Sequence, residues 1–176
     1  MSKETIRIAN CSGFYGDKLS VAKDMVEGGP IDVLTGDYLA ELTMTILYNQ
    51  KMKRGEEHGY VGTFIKQFRD VAKISQDKNI KIVTNAGGLN PKSMAQEIEK
   101  VVNELNLDLK VSYIDGDNLI PEMEKLTKLG EKFSNLDKNI DLKDYSKKAI
   151  TANAYLGAWG IKEALDNGAD VVVCPR

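Results

Sequence analysis

Histidine occurs once in this chain of 176 residues, as His58. It lies in the polar stretch KRGEEHGY, which reads as exposed, so a Ser-His-Asp triad is not expected and a histidine-based zinc site is excluded. Cysteine occurs twice, and Cys11 and Cys174 stand too far apart to match a metal or disulfide spacing. No apolar run approaches the roughly 18 residues of a membrane span. The opening MSKETIRIAN runs straight into a strand with no secretory apolar region. Neither sign of charge is in excess: 24 basic residues face 26 acidic ones, a formal net charge of −2. A basic face for nucleic acid or an anionic membrane is therefore not expected. The dinucleotide fingerprint G-x-G-x-x-G and the P-loop Gly-Lys-Ser/Thr are both missing. These absences leave the cofactor undefined. They predict a cytoplasmic protein with no metal site and with neither nucleic acid nor membrane as partner.

What is present is ordinary globular material, 42% apolar and 28% charged, long enough for one α/β domain with a real core. Six β-like runs alternate with helical patterns: Ile6–Asn10, Ile31–Thr35, Lys81–Asn85, Lys110–Ile114, about Ala149–Ala154, and Ala169–Cys174. Runs such as Val171-Val172-Val173 suit strands covered on both faces. Asp17 and Asp37 are candidate caps for the first two helices, the second carrying Leu39, Leu42, Ile46 and Leu47 on one face. Thr63 precedes a third, with Phe64, Phe68, Val71 and Ala72 at core spacing. Asn90-Pro91 is an Ncap–N1 pair for the fourth. A last helix, about Tyr155 to Asn167, ends at Gly168. The alternation predicts a predominantly parallel sheet with helices on both faces, a Rossmann-like three-layer α/β fold, over a single domain, residues 1–176. A partial (β/α) barrel gives the same pattern and stays open. The rhythm breaks over about 118–148, a polar insertion that reads either as a solvated excursion with a short helix or as a flap over a site.

Asn, Asp, Ser, Thr and Gly recur after five of the predicted strands, in NCSGFYGD, TGDYLAE, TNAGGLNP, DGDN and NAYLGAWG. In a parallel sheet these turns share the carboxyl edge, where ligands bind. TNAGGLNP is the richest. Gly87 and Gly88 can let a backbone approach an anion at the start of the following helix, or can simply turn the chain. On the anion reading, Gly88→Asp abolishes ligand binding and leaves the fold largely intact. Asp37, Glu41, Asp115 and Asp117 lie on turns read as neighbouring, and could hold a divalent ion or move a proton; Asp37 also reads as a cap, and Asp115-Gly116-Asp117 as a plain turn. Cys11 reads as a small buried residue or as a nucleophile near a helix start. Trp159 is expected to pack the last helix on the sheet.

The segments IRIANCSGFYGDKLSVAKDMVEGGPIDVLTGDYLAELTM, KIVTNAGGLNP and NAYLGAWGIKEALDNGADVVV resemble the N-terminal domain of the acyclic terpene utilisation family, over nearly the whole chain. The resemblance implies a role in catabolism of branched isoprenoid acids, derived from citronellol or geraniol, or of their coenzyme A thioesters. It implies no particular reaction. The family's recurrent loop residues fall on Asn10, Ser12, Gly13, Gly36, Asp37, Asn85, Gly87, Gly88, Asn90, Asn153 and Tyr155. The expected ligand is a small anion, a carboxylate or an acyl thioester. Asn10, Asn85 and Asn153 would orient a carbonyl, and Asp37 or Asp115 would be the catalytic acid or base. Family members continue past this point and usually place Gly-Arg and an acid after the last strand, where this chain has Cys174-Pro175-Arg176. The chain is thus expected to be the N-terminal portion of a longer family domain, its remainder supplied by a partner chain or a homo-oligomer. The alternative is a non-catalytic ligand- or partner-binding subunit, or an inactive fragment.

Overall fold

Right-handed crossovers decide which face of a parallel sheet each helix covers, and here they divide the helices unequally. The computed structural model describes residues 5–145 and 148–176. Five strands, β1 (Ile8–Asn10), β2 (Val33–Gly36), β3 (Lys81–Gly88), β4 (Val111–Tyr113) and β5 (Val171–Pro175), form one sheet in the order β1-β2-β3-β5-β4. Every pairing is parallel. The sheet is open, with β1 and β4 as edges, so the barrel alternative falls.

The crossovers from β1 to β2, β2 to β3 and β3 to β4 all step the same way. Their helices α1 (Val21–Gly28), α2 (Glu41–Arg54), α3 (Gly62–Asp77) and α4 (Pro91–Glu104) therefore gather on one face. Val26, Phe64, Phe68, Val71, Met94 and Ile98 are fully buried there against Leu34, Ile82, Val171 and Val173. Each such side chain contributes about 1.5–3 kcal/mol through its burial. Only the return step from β4 to β5 crosses the other face. Its helix α6 (Trp159–Asp166) lays Ile161, Ala164 and Leu165 over Val172, Cys174, Val83 and Ile114. Strand alternation and register put Ile8 and Val33 on that second face too, beyond the reach of α6. Ile6 and Ile8 are 66% and 65% exposed. Among the described residues, nothing covers about half of the second face.

Several local expectations change. No strand forms over Ala149–Ala154; Asn153 makes only an isolated antiparallel bridge to Asn118. The stretch offers a single large apolar side chain, Ile150, which is 42% exposed, so it has nothing to anchor a sixth strand. Asp17 instead accepts the Gly13 and Lys18 amides, and α1 starts four residues later after Ser20. Asp37 does not cap α2, which opens at Glu41 after Ala40, and Leu42 of that helix is 71% exposed. Thr63 lies inside α3, which begins at Gly62. The last helix begins at Trp159, four residues later than expected, because Gly157 turns the chain with φ +68°. Trp159 is 82% exposed rather than packed. Two positions from Ile161 is about 200° of helix, which carries it off the buried stripe.

The Asn90-Pro91 start of α4 forms as expected, with the Asn90 Oδ1 accepting the Ser93 amide at 3.1 Å. Residues 118–145 of the polar insertion hold a short helix α5 (Met123–Lys128) and two 3-10 turns, with no buried side chain in any of the three. Two residues of that insertion, 146 and 147, lie outside the described residues. No described helix is long and apolar enough to cross a membrane.

Candidate functional site

Where the cover of α6 stops, a cleft of about 440 Å³ opens at the carboxyl edge of the sheet. Each of the five strands, or the residue just after it, contributes. Asn10 closes β1; Thr35 and Gly36 end β2 and Asp37 follows it; Val83, Thr84 and Asn85 belong to β3. Cys174 and Pro175 end β5 and Arg176 follows it, and Ile114 follows β4. The opposite wall is Tyr155, Leu156 and Gly157, the strap leading into α6, together with Ile161 of that helix.

Val83, Ile114, Leu156, Ile161, Cys174 and Pro175 make most of this lining apolar. Cys174 belongs with them, because burial pushes its thiol up to about 12 and keeps it neutral. Two charged residues, Asp37 and Arg176, are in the described lining, and Glu41 pairs with the second. The Arg176 guanidinium sits 5.5 Å from the centroid of the Tyr155 ring and donates from Nη2 to Glu41 Oε1 at 2.8 Å. Hydrogen bonding to the Glu41 backbone amide first, and to Arg176 second, holds the Glu41 carboxyl below its usual range. The Asp37 carboxylate is fixed through one oxygen: Oδ1 accepts the Asn85 Nδ2 at 2.7 Å and the Leu39 amide at 3.1 Å. The Asn85 Oδ1 in turn accepts the Tyr38 amide at 2.9 Å. Asn85 is therefore spent on holding the β2 turn in place, while exposed Asn10 lies at the rim.

Of the site residues expected from sequence, Asn10, Gly36, Asp37, Asn85 and Tyr155 line this cleft. Ser12 is buried and donates to the Phe14 carbonyl, and Gly13 gives its amide to Asp17. Asn90 is consumed by the α4 cap and by the carbonyls of Glu56 and His58. Gly87 and Gly88 do not reach the cleft lining. They are the last residues of β3, and protein fills the space beside them. A Cβ on Gly87 would stand 2.6 Å from the Cys174 carbonyl, and one on Gly88 would stand 2.4 Å from Leu47 Cδ1 and 2.8 Å from the Gly59 carbonyl. The glycines allow β3 to press against β5 and the α2–α3 connection, leaving no open cradle for an anion.

The acidic residues are also separated. The turns after β2 and β4 are not neighbours, because β3 and β5 stand between them, a spacing of roughly 14 Å at about 4.8 Å per strand. Asp115 is exposed and outside the lining, whereas Asp117 is only 5% exposed. Among the described residues no three His, Cys, Asp or Glu side chains are grouped to hold a metal ion. Cys11 is 1% exposed, its thiol pushed up by burial, with its Sγ 3.6 Å from the buried Tyr38 hydroxyl. That is a packing cysteine and not an activated nucleophile.

The family model described as Acyclic terpene utilisation family protein AtuA matches residues 6–176. The chain belongs to the acyclic terpene utilisation family. No curated protein and no solved structure matches it. Sequence reasoning on this acyclic terpene utilisation protein missed Arg176 and the apolar floor. Arg176 stands out in the sequence only as a departure from the family pattern, and Val83, Ile114 and Ile161 look like any core residue until the fold brings them to one cleft. The polar turns were visible because their residue types are unusual. The apolar lining of an acyclic terpene utilisation cleft has no such signature.

Proposed function

We propose that the chain binds a branched isoprenoid acid, free or as its coenzyme A thioester, in the cleft at the carboxyl edge of the sheet. It would do so within the cytoplasmic catabolism of acyclic terpenes. The observation that carries this reading is an apolar floor with Arg176 as the one cation among the described residues that line it. A branched hydrocarbon tail gains from burial against Val83, Ile114, Leu156 and Ile161. A carboxylate gains a charge-assisted pair with the guanidinium, which suits planar two-oxygen groups. The volume is adequate for a ten-carbon acid and lies in the range of ordinary small-ligand sites. For a thioester the acyl part would occupy the floor and the nucleotide would extend into solvent. Asp37, with Oδ2 free of the two bonds made by Oδ1, is the group that would accept a proton in any chemistry here.

Thermal melts with geranic acid, its coenzyme A thioester and free coenzyme A test this. A ligand of the native state stabilises it by about 2.7 kcal/mol at a hundredfold excess over its dissociation constant. A rise with geranic acid or its thioester that Arg176→Gln suppresses supports the reading. A midpoint that none of the compounds moves overturns it.

The bare half-face favours a second reading, a ligand- or partner-binding subunit. Ile6 and Ile8 stand largely exposed beside an edge strand with unpaired backbone groups, an arrangement that invites association. A second copy or a partner chain would cover it. A strictly monomeric chain with measurable turnover counts against this reading.

A further inference from the structure

The strap that forms one wall of the cleft has no regular structure of its own: between the polar insertion and Trp159 only Asn153 is bridged. It is nevertheless tied at Asn153 to the turn after β4. The Leu119 amide donates to the Ala152 carbonyl at 2.8 Å, and the Ala154 amide donates to the Asp117 carbonyl at 2.8 Å. Between these two backbone bonds the Asn153 Nδ2 donates to Asp117 Oδ2 at 2.7 Å. Tyr155 follows two residues later, and Leu156 and Gly157 complete the wall.

Asp117 is an unusual choice for such a place. At 5% exposure its carboxylate sits where an unpaired charge is costly. Nothing in the packing of the main core uses it, since Asp117 follows the edge strand β4. Burial pushes its carboxyl above the usual range, the Asn153 hydrogen bond opposes that, and exposed Asp115 adds to it. What the arrangement achieves is orientation. An acceptor-only carboxylate dictates which way the Asn153 amide points, and the two flanking backbone bonds fix the strap in register with the turn after β4.

We propose that Asp117 and Asn153 are positioning residues, a clasp that sets the distance between the Tyr155–Gly157 wall and the apolar floor and thereby the affinity for the acid. The proposal rests on the cleft being the ligand site, and it assigns Asn153 a role away from the ligand's carbonyl. Neither side chain lines the cleft.

Trp159 is the only tryptophan in the chain and lies two residues beyond Gly157. Its fluorescence therefore reports the strap directly, with or without ligand. In Asn153→Ala and Asp117→Ala, Trp159 anisotropy should fall, and geranic acid should bind about tenfold more weakly, the scale of one lost charge-assisted hydrogen bond. Asp117→Asn keeps an acceptor for Asn153 and should restore both readouts to near the wild-type values. The cooperative melt should survive in all three. Wild-type affinity and anisotropy in Asn153→Ala overturn the proposal, as does loss of cooperative melting, which would make the pair a folding requirement. If wild-type protein binds no acid, the cleft reading fails on its own. In that case lower Trp159 anisotropy in Asn153→Ala and Asp117→Ala, with Asp117→Asn near the wild-type value, still supports the clasp.

Discussion

Substituting Gly88 by alanine tests whether the turn of TNAGGLNP is packed solid or open to a ligand. Gly88 has φ +54°, and a methyl group there would lie 2.4 Å from Leu47 Cδ1 and 2.8 Å from the Gly59 carbonyl. The left-handed backbone costs a non-glycine residue about 1–2 kcal/mol. Overpacking a full core typically adds about 1–3 kcal/mol. Leu47 has no exposed surface and so nowhere to retreat, and Gly59 offers backbone. The sum, about 2–5 kcal/mol, is a large part of the roughly 5–15 kcal/mol that holds a domain together. For a chain of this length each kcal/mol lowers the melting midpoint by about 2–4 °C, so the drop should be roughly 4–20 °C. Gly13, whose Cβ would meet nothing within 4 Å, is the control, and Gly13→Ala should melt close to wild type. Gly88→Asp should therefore fail by unfolding, contrary to the expectation that it would spare the fold. A Gly88→Ala protein melting within a degree or two of wild type, but deaf to ligand, would refute this reasoning and reopen the anion cradle.

Other perturbations separate the remaining roles. Asp37→Asn preserves an acceptor for Asn85 and should leave the midpoint and acid binding intact while removing turnover, as measured by product formation with the thioester; undiminished turnover would relieve Asp37 of any proton role. Glu41→Gln removes the carboxylate that occupies Arg176, and isothermal titration should show geranic acid binding modestly more tightly. Ile6→Ser with Ile8→Ser should change the midpoint little, because both side chains are already exposed, and sedimentation should show any dimer shifted to monomer. Asp170 is subject to burial, which raises its carboxyl, but Lys81 at 2.6 Å and the Lys110 amide outweigh this and leave it lowered. A carboxyl lowered in the folded state stabilises above its ordinary range and loses that contribution as pH falls through the lowered value. Asp170→Asn should thus cost stability at pH 7 and little at strongly acidic pH, by melts across that window. Asp117 has the opposite sign: Asp117→Asn should melt no lower than wild type at pH 7, with any gain vanishing on acidification.

How far the sequence could be read depended on the range of the interactions involved. The Asn90-Pro91 cap is settled within four residues, so it was legible, as were the triple valine of β5 and the parallel α/β order. Gly87 and Gly88 announced that something comes close. Whether that something is a ligand or Leu47 and Cys174 is decided by residues 41 and 87 positions away. Ala149–Ala154 and Trp159 were misjudged for a related reason. Local pattern cannot show that Ala149–Ala154 stays out of the five-stranded sheet, or that Gly157 delays α6 until Trp159 falls on its outer side. The carboxyl-edge location of the cleft followed from topology. Its apolar lining and Arg176 did not, because they come together only when α6 is packed on β3, β4 and β5 and Arg176 reaches Glu41 of α2.

The cleft is mechanically lopsided. The strands that carry its floor press together elsewhere so closely that even a methyl group at Gly87 has no room, whereas its facing wall is a loop tied by the clasp and by the Tyr155–Arg176 contact. A rigid surface cannot adapt to a guest, so adaptation must come from the strap. If the cleft takes acids as proposed, those that differ in chain length should meet the same floor and differ in how far they displace Tyr155 and Leu156. Selectivity among them would then be tuned by substitutions in residues 152–158, with the sheet left untouched. An evolving population could retune its substrate range there at little risk to folding.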